Sequence, residues 1–320
     1  MPLDQKAKRI LDMMGVGAAR PDRRPTIAER RESFRKLMRM AAGASPAASV
    51  EDRIVAGAEG SLASRLYVPE SPSETLLPGL VYFHGGGLVA GSLDTHDGLC
   101  RTLAQAAGVR VVSVDYRLAP EHRFPAAVED ACAATAWISA NAGSFGIDAA
   151  WLAVGGDSGG GTLAAVVCQW ARDRGAPHVA VQLLLCPVLD FAEISASRRT
   201  FARGYLLDQA TMDSDLAYYL DKRTNLDDPR ISPLRAGSLG GLPSALIHTA
   251  EFDPLRDEGA AYAARLAAAG VRVRHTCHSG LIHHFYGMTG LIPQARTAVA
   301  EIGVELRAAA QLREFGDFDA

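Results

Sequence analysis

No stretch of this 320-residue chain approaches 18 consecutive apolar residues, so a membrane-spanning helix is excluded. Cysteine is scarce: Cys100, Cys132, Cys168, Cys186 and Cys277 are odd in number, scattered and without a CxxC pair. A disulfide scaffold or zinc knuckle is therefore excluded, and reduced buried thiols are expected. Charge of one sign is also lacking, since 33 Lys and Arg face 36 Asp and Glu for a net −3. That balance speaks against a nucleic-acid partner, which would need a concentrated basic face. The one Arg-rich stretch, 20–39, interleaves Asp22, Glu29 and Glu32. It reads as the solvated face of a helix rather than as a dock for anions. The polar, helix-patterned start, residues 1–20, has no apolar core of signal-peptide length, so a cytoplasmic location is expected. His96, His122, His178, His248, His275 and His278 lack metal-ligand spacing with carboxylates, and no metal or other cofactor is expected.

Beyond these absences, the chain alternates strand and helix. Short apolar runs at 54–56, 62–68, 80–84, 109–114, 152–154, 179–185, 245–249 and 271–277 read as strands. Ala-rich amphipathic runs at 95–107, 125–141, 160–174 and 255–269 read as the helices between them. Continuous apolar strands separated by helices imply an α/β fold with a mainly parallel sheet covered on both faces. Nearly sixty residues separate the 179–185 and 245–249 strands, with a helical run at 211–221. A crossover needs far less, so an insertion is expected there, covering or lining a site. The organisation inferred is N-terminal cap helices over 1–45, a catalytic domain over 46–190 and 226–320, and a cap insertion over 191–225.

Two glycine-rich motifs carry the chemistry. Gly156-Asp157-Ser158-Gly159-Gly160 fits G-x-S-x-G and stands between a strand and a helix, as a strained nucleophile turn requires. The glycine run also resembles a phosphate loop, but no G-K-[ST] follows. His84-Gly85-Gly86-Gly87 closes the 80–84 strand, where residues without Cβ let amides approach a carbonyl oxygen. His84 is an alternative catalytic histidine, but a base is expected after the nucleophile and its acid, so His84 is assigned to support the loop. Asp253, just past the 245–249 strand, is the first choice of acid and Asp190 the second. Asp257 and Glu258 read as capping or surface acids, with Glu251 and Asp257 supporting the Asp253 loop. His283 and His284 follow the last strand together, and spacing alone does not separate them.

With these motifs, Asp115–Glu121, Phe124-Pro125, Asp228-Pro229-Arg230, Asp253-Pro254-Leu255 and His283 with Phe285, the chain resembles the bacterial hormone-sensitive-lipase-like esterases of the α/β-hydrolase superfamily. The matches run in family order over nearly the whole chain. The resemblance implies an α/β-hydrolase fold with a helical cap and a triad of Ser158, Asp253 and His283. It also implies an oxyanion hole of Gly85, Gly86 and Gly159 amides, with Asp157 in a supporting place beside the nucleophile. A serine carboxylesterase acting on short- to medium-chain esters follows, without cofactor and with homodimers frequent. His283 is preferred because the family's histidine stands two before its phenylalanine. Two residues depart from the pattern: Gly159 stands where the family has Ala, and His284 where it has Gly. An amidase or peptidase is the nearest rival, and a non-catalytic small-molecule receptor the more distant one.

Overall fold

The computed structural model describes residues 2–16, 25–46, 48–70 and 76–311. Residues 20–24 of the Arg-rich stretch, Asp22 among them, lie outside the described residues. Eight strands form one sheet in the order β1-β2-β4-β3-β5-β6-β7-β8. They are β1 (Ala48–Ala56), β2 (Ser61–Pro69), β3 (Leu77–Phe83), β4 (Arg110–Val114), β5 (Ile147–Asp157), β6 (Val181–Leu185), β7 (Ser244–Phe252) and β8 (Val273–Ile282). The pairs from β4 to β8 are parallel, whereas the β1–β2 hairpin and the β2–β4 pair are antiparallel.

The period-2 geometry of a strand sends successive side chains to opposite faces. In β3, Leu80 and Tyr82 join one buried cluster and Val81 and Phe83 the other. Helices α3 (Asp97–Ala107) and α9 (Pro293–Gln311) cover the first cluster. Helices α4 (Ala126–Ala140), α5 (Gly159–Arg174) and α8 (Arg256–Ala268) cover the second. This is the expected two-sided parallel sheet. No helix among the described residues is long and apolar enough to cross a membrane.

Four details differ from the sequence expectation. β1 starts at Ala48 rather than 54, because it is an edge strand whose Glu51, Asp52 and Arg53 are exposed and show no apolar alternation. The insertion holds two helices, α6 (Ala196–Thr200) and α7 (Gln209–Tyr219). Upstream lie α1 (Gln5–Met13) and α2 (Ile27–Ala41), the latter started by a reciprocal Thr26–Glu29 capping box. The arginines of α2 are not all solvated. Arg31 binds the carbonyls of Val89 and Ala119 and the Glu121 carboxylate, and Arg30 binds Asp215. Cys277 is exposed, unlike the other four thiols.

The β7–β8 edge predicts acid sensitivity. His248 Nδ1 lies 3.2 Å from His278 Nε2. Burial holds His248 down to about 3 and His278 to about 4. Burial, with the nearby His96, likewise holds His84 down to about 4. Unfolded histidines titrate near 6.5, so between about pH 6.5 and 4 the unfolded chain binds more protons and stability falls with pH. Glu258, pushed up to about 7 by burial against the pull of Arg198, acts in the reverse sense. Burial also raises Asp115, Asp215 and Glu305, which act with Glu258, but it lowers His275 and His284 as well, and the imidazoles are expected to prevail. Thermal melting should therefore show Tm falling between pH 7 and 4.5; a flat or rising Tm contradicts this.

Candidate active site

The connections leaving β3 and β5 diverge to opposite sides of the sheet, since β4 lies beyond β3 and β6 beyond β5. Such a switch point opens a crevice at the C-terminal strand ends. Both glycine motifs stand there, His84–Gly87 after β3 and Ser158 after β5.

Ser158 occupies the sharp strand-to-helix turn with φ 52° and ψ −120°, a region that costs a non-glycine residue about 1–3 kcal/mol. The turn is held by Ser158 N–H donating to the Leu185 carbonyl at 2.9 Å and Val188 N–H donating to the Ser158 carbonyl at 3.2 Å. Gly160 is required by close approach: a Cβ there would stand 2.0 Å from the Phe83 carbonyl oxygen. Gly159 leaves more room, its Cβ position being 3.1 Å from Leu88 Cγ, so an alanine fits with a small adjustment.

Asp253 and His283, distant in sequence, meet Ser158. His283 Nε2 is 3.2 Å from Ser158 Oγ, and His283 Nδ1 is 2.8 Å from Asp253 Oδ2. The second carboxylate oxygen, Oδ1, accepts from Leu255 N–H at 2.8 Å. With Nδ1–H donated to Asp253, Nε2 presents its lone pair to the serine hydroxyl. All three side chains are buried, which strengthens their hydrogen bonds. His284 points elsewhere: its Nδ1 is 3.0 Å from the Tyr286 hydroxyl, and its backbone is left-handed at φ 63°. Burial, then the neighbouring His283, holds the His284 imidazole well below its usual value, so it is neutral.

The oxyanion loop requires a correction. Gly85 N–H is not available to a substrate, because it donates to Asp157 Oδ1 at 3.0 Å. Gly86 and Gly87 amides have no hydrogen-bond acceptor among the described residues, and Gly159 begins α5, where first-turn amides lack helical partners. Among the described residues the Gly86 and Gly87 amides are thus left without an acceptor, and Gly87 and Gly159 line the cavity at Ser158. Asp157 also accepts from Tyr82 Oη at 2.7 Å and lies 3.2 Å from His96 Nε2. Burial pushes its carboxyl up, but His96 and Tyr82 outweigh that and hold it below the ordinary range. His84 Nδ1 contacts the Gly85 carbonyl at 3.0 Å, while its ring stacks on Tyr116, whose hydroxyl donates to the His84 carbonyl.

The remaining acids take other partners. Asp190 pairs with Arg235 at 2.9 Å, away from the imidazole. Glu258 is not a surface acid but is buried, bound to Arg198 and to the Leu189 and Asp190 amides. Glu251 accepts from Gly280 N–H at 2.8 Å, in the strand leading to His283, and its carbonyl accepts from Arg256 just past the Asp253 loop. Asp257 accepts from Ser197 N–H and anchors α6.

Sequence reasoning passed over several groups here. His96, read from the sequence only as a histidine without metal-ligand spacing, is a buried member of the Asp157 network. Cys186, Asp253 and His283 bring donor atoms within 4.8 Å of one another, close enough to hold a metal ion. Burial and Asp253 push the Cys186 thiol well up, so it stays protonated and is a poor ligand. A cavity of about 210 Å³ opens beside Ser158, lined by Leu88, Val188, Phe191, Met212, Leu216 and Tyr219 among others. A wider one of about 520 Å³ lies against Met14, Phe34, Leu37 and Leu206. His284 lines both.

Comparison with known proteins locates this arrangement. The model of a family described as alpha/beta hydrolase fold matches residues 80–287. Carboxylic ester hydrolase LipN of Mycobacterium tuberculosis is 45% identical over 265 residues, covering 81% of this chain and 70% of its own length. Ethyl acetate hydrolase of Pseudomonas putida is 42% identical over 237 residues, covering 73% and 74%. Among solved structures, a hyperthermophilic esterase from Pyrobaculum calidifontis superposes with a TM-score of 0.90 at 40% identity, covering 97% of this chain and 99% of that one. A metagenomic ester hydrolase from Lake Arreo, complexed with a bipyridine phosphonate derivative, superposes with a TM-score of 0.91 at 43% identity, covering 96% and 98%.

Proposed function

The chain belongs to the alpha/beta hydrolase fold family, as a carboxylic-ester hydrolase of the hormone-sensitive-lipase-like kind, and from that premise we propose a Ser158–His283–Asp253 acyl-transfer mechanism. The observation that carries it is the continuous relay from Asp253 Oδ2 through both His283 nitrogens to Ser158 Oγ, at 2.8 and 3.2 Å. His283 Nε2 takes the hydroxyl proton as Oγ attacks the ester carbonyl carbon. Asp253 stabilises the imidazolium, and the tetrahedral oxyanion is held by Gly86, Gly87 and Gly159 amides. Imidazolium then protonates the departing alcohol oxygen, leaving an acyl ester on Ser158. Water, deprotonated by His283, attacks that ester and regenerates the hydroxyl.

Segments 1–45 and 191–225 act as the cap in this reading, since side chains of both line the cavity at Ser158. Its volume, about 210 Å³, favours short- to medium-chain esters. Matched p-nitrophenyl butyrate and butyryl-p-nitroanilide test the reaction class. Ester turnover with labelling of Ser158 by a fluorophosphonate is expected, with anilide turnover at least tenfold slower. Equal rates would make the protein an amidase, and an unlabelled Ser158 would remove the mechanism.

His284 shares the boundary of the two cavities with Arg30 and Leu207, in a left-handed conformation that costs a non-glycine residue about 1–2 kcal/mol. His284→Gly relieves that strain and joins the spaces. The ratio of kcat/KM for decanoyl over butyryl esters should rise at least about tenfold, the scale of a single extra methylene accommodated. An unchanged ratio across an acyl-length series would show that His284 is no partition.

A further inference from the structure

One ion pair lies in the cavity wall beside Ser158. Asp215 on α7 receives Arg30 of α2 in a two-point contact, Nε to Oδ1 at 3.0 Å and Nη2 to Oδ2 at 2.8 Å. The two side chains are 14% and 8% exposed, and both residues line the cavity. The carboxylate presses on Gly87, where φ is +68° and a Cβ would stand 2.2 Å from Oδ2. A carboxylate is thus in contact with a backbone segment that the mechanism uses to hold a developing negative charge. Unneutralised, it would oppose that charge in a site shielded from water.

We propose that Arg30 is a positioning residue for ester hydrolysis: by neutralising and orienting Asp215, it allows the Gly87 loop to stabilise the oxyanion. The inference rests on the reading of Gly87 as an oxyanion donor. Other charged groups around Asp215 do not replace Arg30. On α2, Glu29 is engaged with Thr26, and Asp213 on α7 accepts from Gln209. Arg198 of α6 is bound to Glu258, and His284, the titratable group that follows β8, is neutral. Burial raises the Asp215 carboxyl and Arg30 lowers it, so removing Arg30 raises it further. The defect should therefore shrink as pH falls and Asp215 takes up a proton.

The test compares Arg30→Met, Arg30→Lys and Arg30→Met with Asp215→Asn on p-nitrophenyl butyrate from pH 5.5 to 9. Arg30→Met should lower kcat about 10- to 100-fold at pH 8 with little change in KM, and its activity relative to the unaltered enzyme should rise toward acid pH. Arg30→Lys should keep most of the rate, because the charge is retained. The double variant should recover to within about threefold, because no charge then faces the loop. A latch between α2 and α7 would behave differently: the double variant would be as slow as the single one, with a deficit independent of pH, and that result overturns the proposal. Thermal melting detects a variant that has lost its fold, in which case Arg30→Lys against the double variant still decides. Phosphonate labelling of the unaltered enzyme separates the two readings. Labelling elsewhere than Ser158 would refute the triad, whereas labelling at Ser158 with full activity in Arg30→Met would refute this inference alone.

Discussion

Ser158→Ala should reduce kcat for ester hydrolysis by a factor of about 10⁴ to 10⁶ while leaving the thermal melt within a few degrees of the unaltered protein. The substitution removes one oxygen atom. The elbow is held by Ser158 N–H donating to the Leu185 carbonyl and Val188 N–H donating to the Ser158 carbonyl, which alanine keeps. The loss is therefore chemical: without Oγ there is no acyl-enzyme, and only the amide donors and binding remain to lower the barrier. Steady-state hydrolysis of p-nitrophenyl butyrate, with the melt measured alongside, checks it. More than about one per cent residual turnover in a preparation free of unaltered enzyme would assign the nucleophile elsewhere.

Asp253→Asn should cost about 10⁴ in kcat near neutral pH, with KM little changed. The direction follows from which oxygen is replaced. Oδ1 accepts the Leu255 amide hydrogen at 2.8 Å, so an asparagine keeps its carbonyl oxygen there and turns its NH₂ toward His283. That NH₂ donates to Nδ1, which moves the imidazole proton to Nε2 and points a donor at Ser158 instead of an acceptor. Asp253→Ala removes this forced tautomer and should be less damaging than Asn. A loss below tenfold for Asp253→Asn would mean that another group, with Asp190 the nearest sequence alternative, orients the base.

The local setting of the motifs was legible in the sequence. G-x-S-x-G demands a strand before it and a helix after it, and β5 and α5 supply both. The acid and histidine follow strands β7 and β8, whose apolar runs mark the sheet edge to which their loops return. Paired His283 and His284 were not separable by spacing, because the choice depends on a left-handed backbone at 284 that turns its ring to Tyr286. Of the oxyanion amides expected, Gly85 is already engaged within the protein. Adjacent glycines look alike in sequence, and only the fold shows that Asp157, 72 residues on, engages Gly85. Arg30 and Arg31 read as solvated because their partners, Asp215 and Glu121, are remote in the chain. The exposed β1 lacked apolar alternation, and α9 was not among the helices expected although its buried Ala298, Ile302 and Leu306 stand at helical spacing.

The most direct test is the structure of the phosphonylated enzyme, because a tetrahedral phosphonate mimics the intermediate. Phosphorus bonded to Ser158 Oγ is predicted, with the phosphonyl oxygen about 3 Å from the amides of Gly86, Gly87 and Gly159. Gly85 should stay bound to Asp157, and His283 Nε2 should face the leaving-group side. An adduct on another residue, or a phosphonyl oxygen seated on the Gly85 amide with Asp157 displaced, would contradict the account.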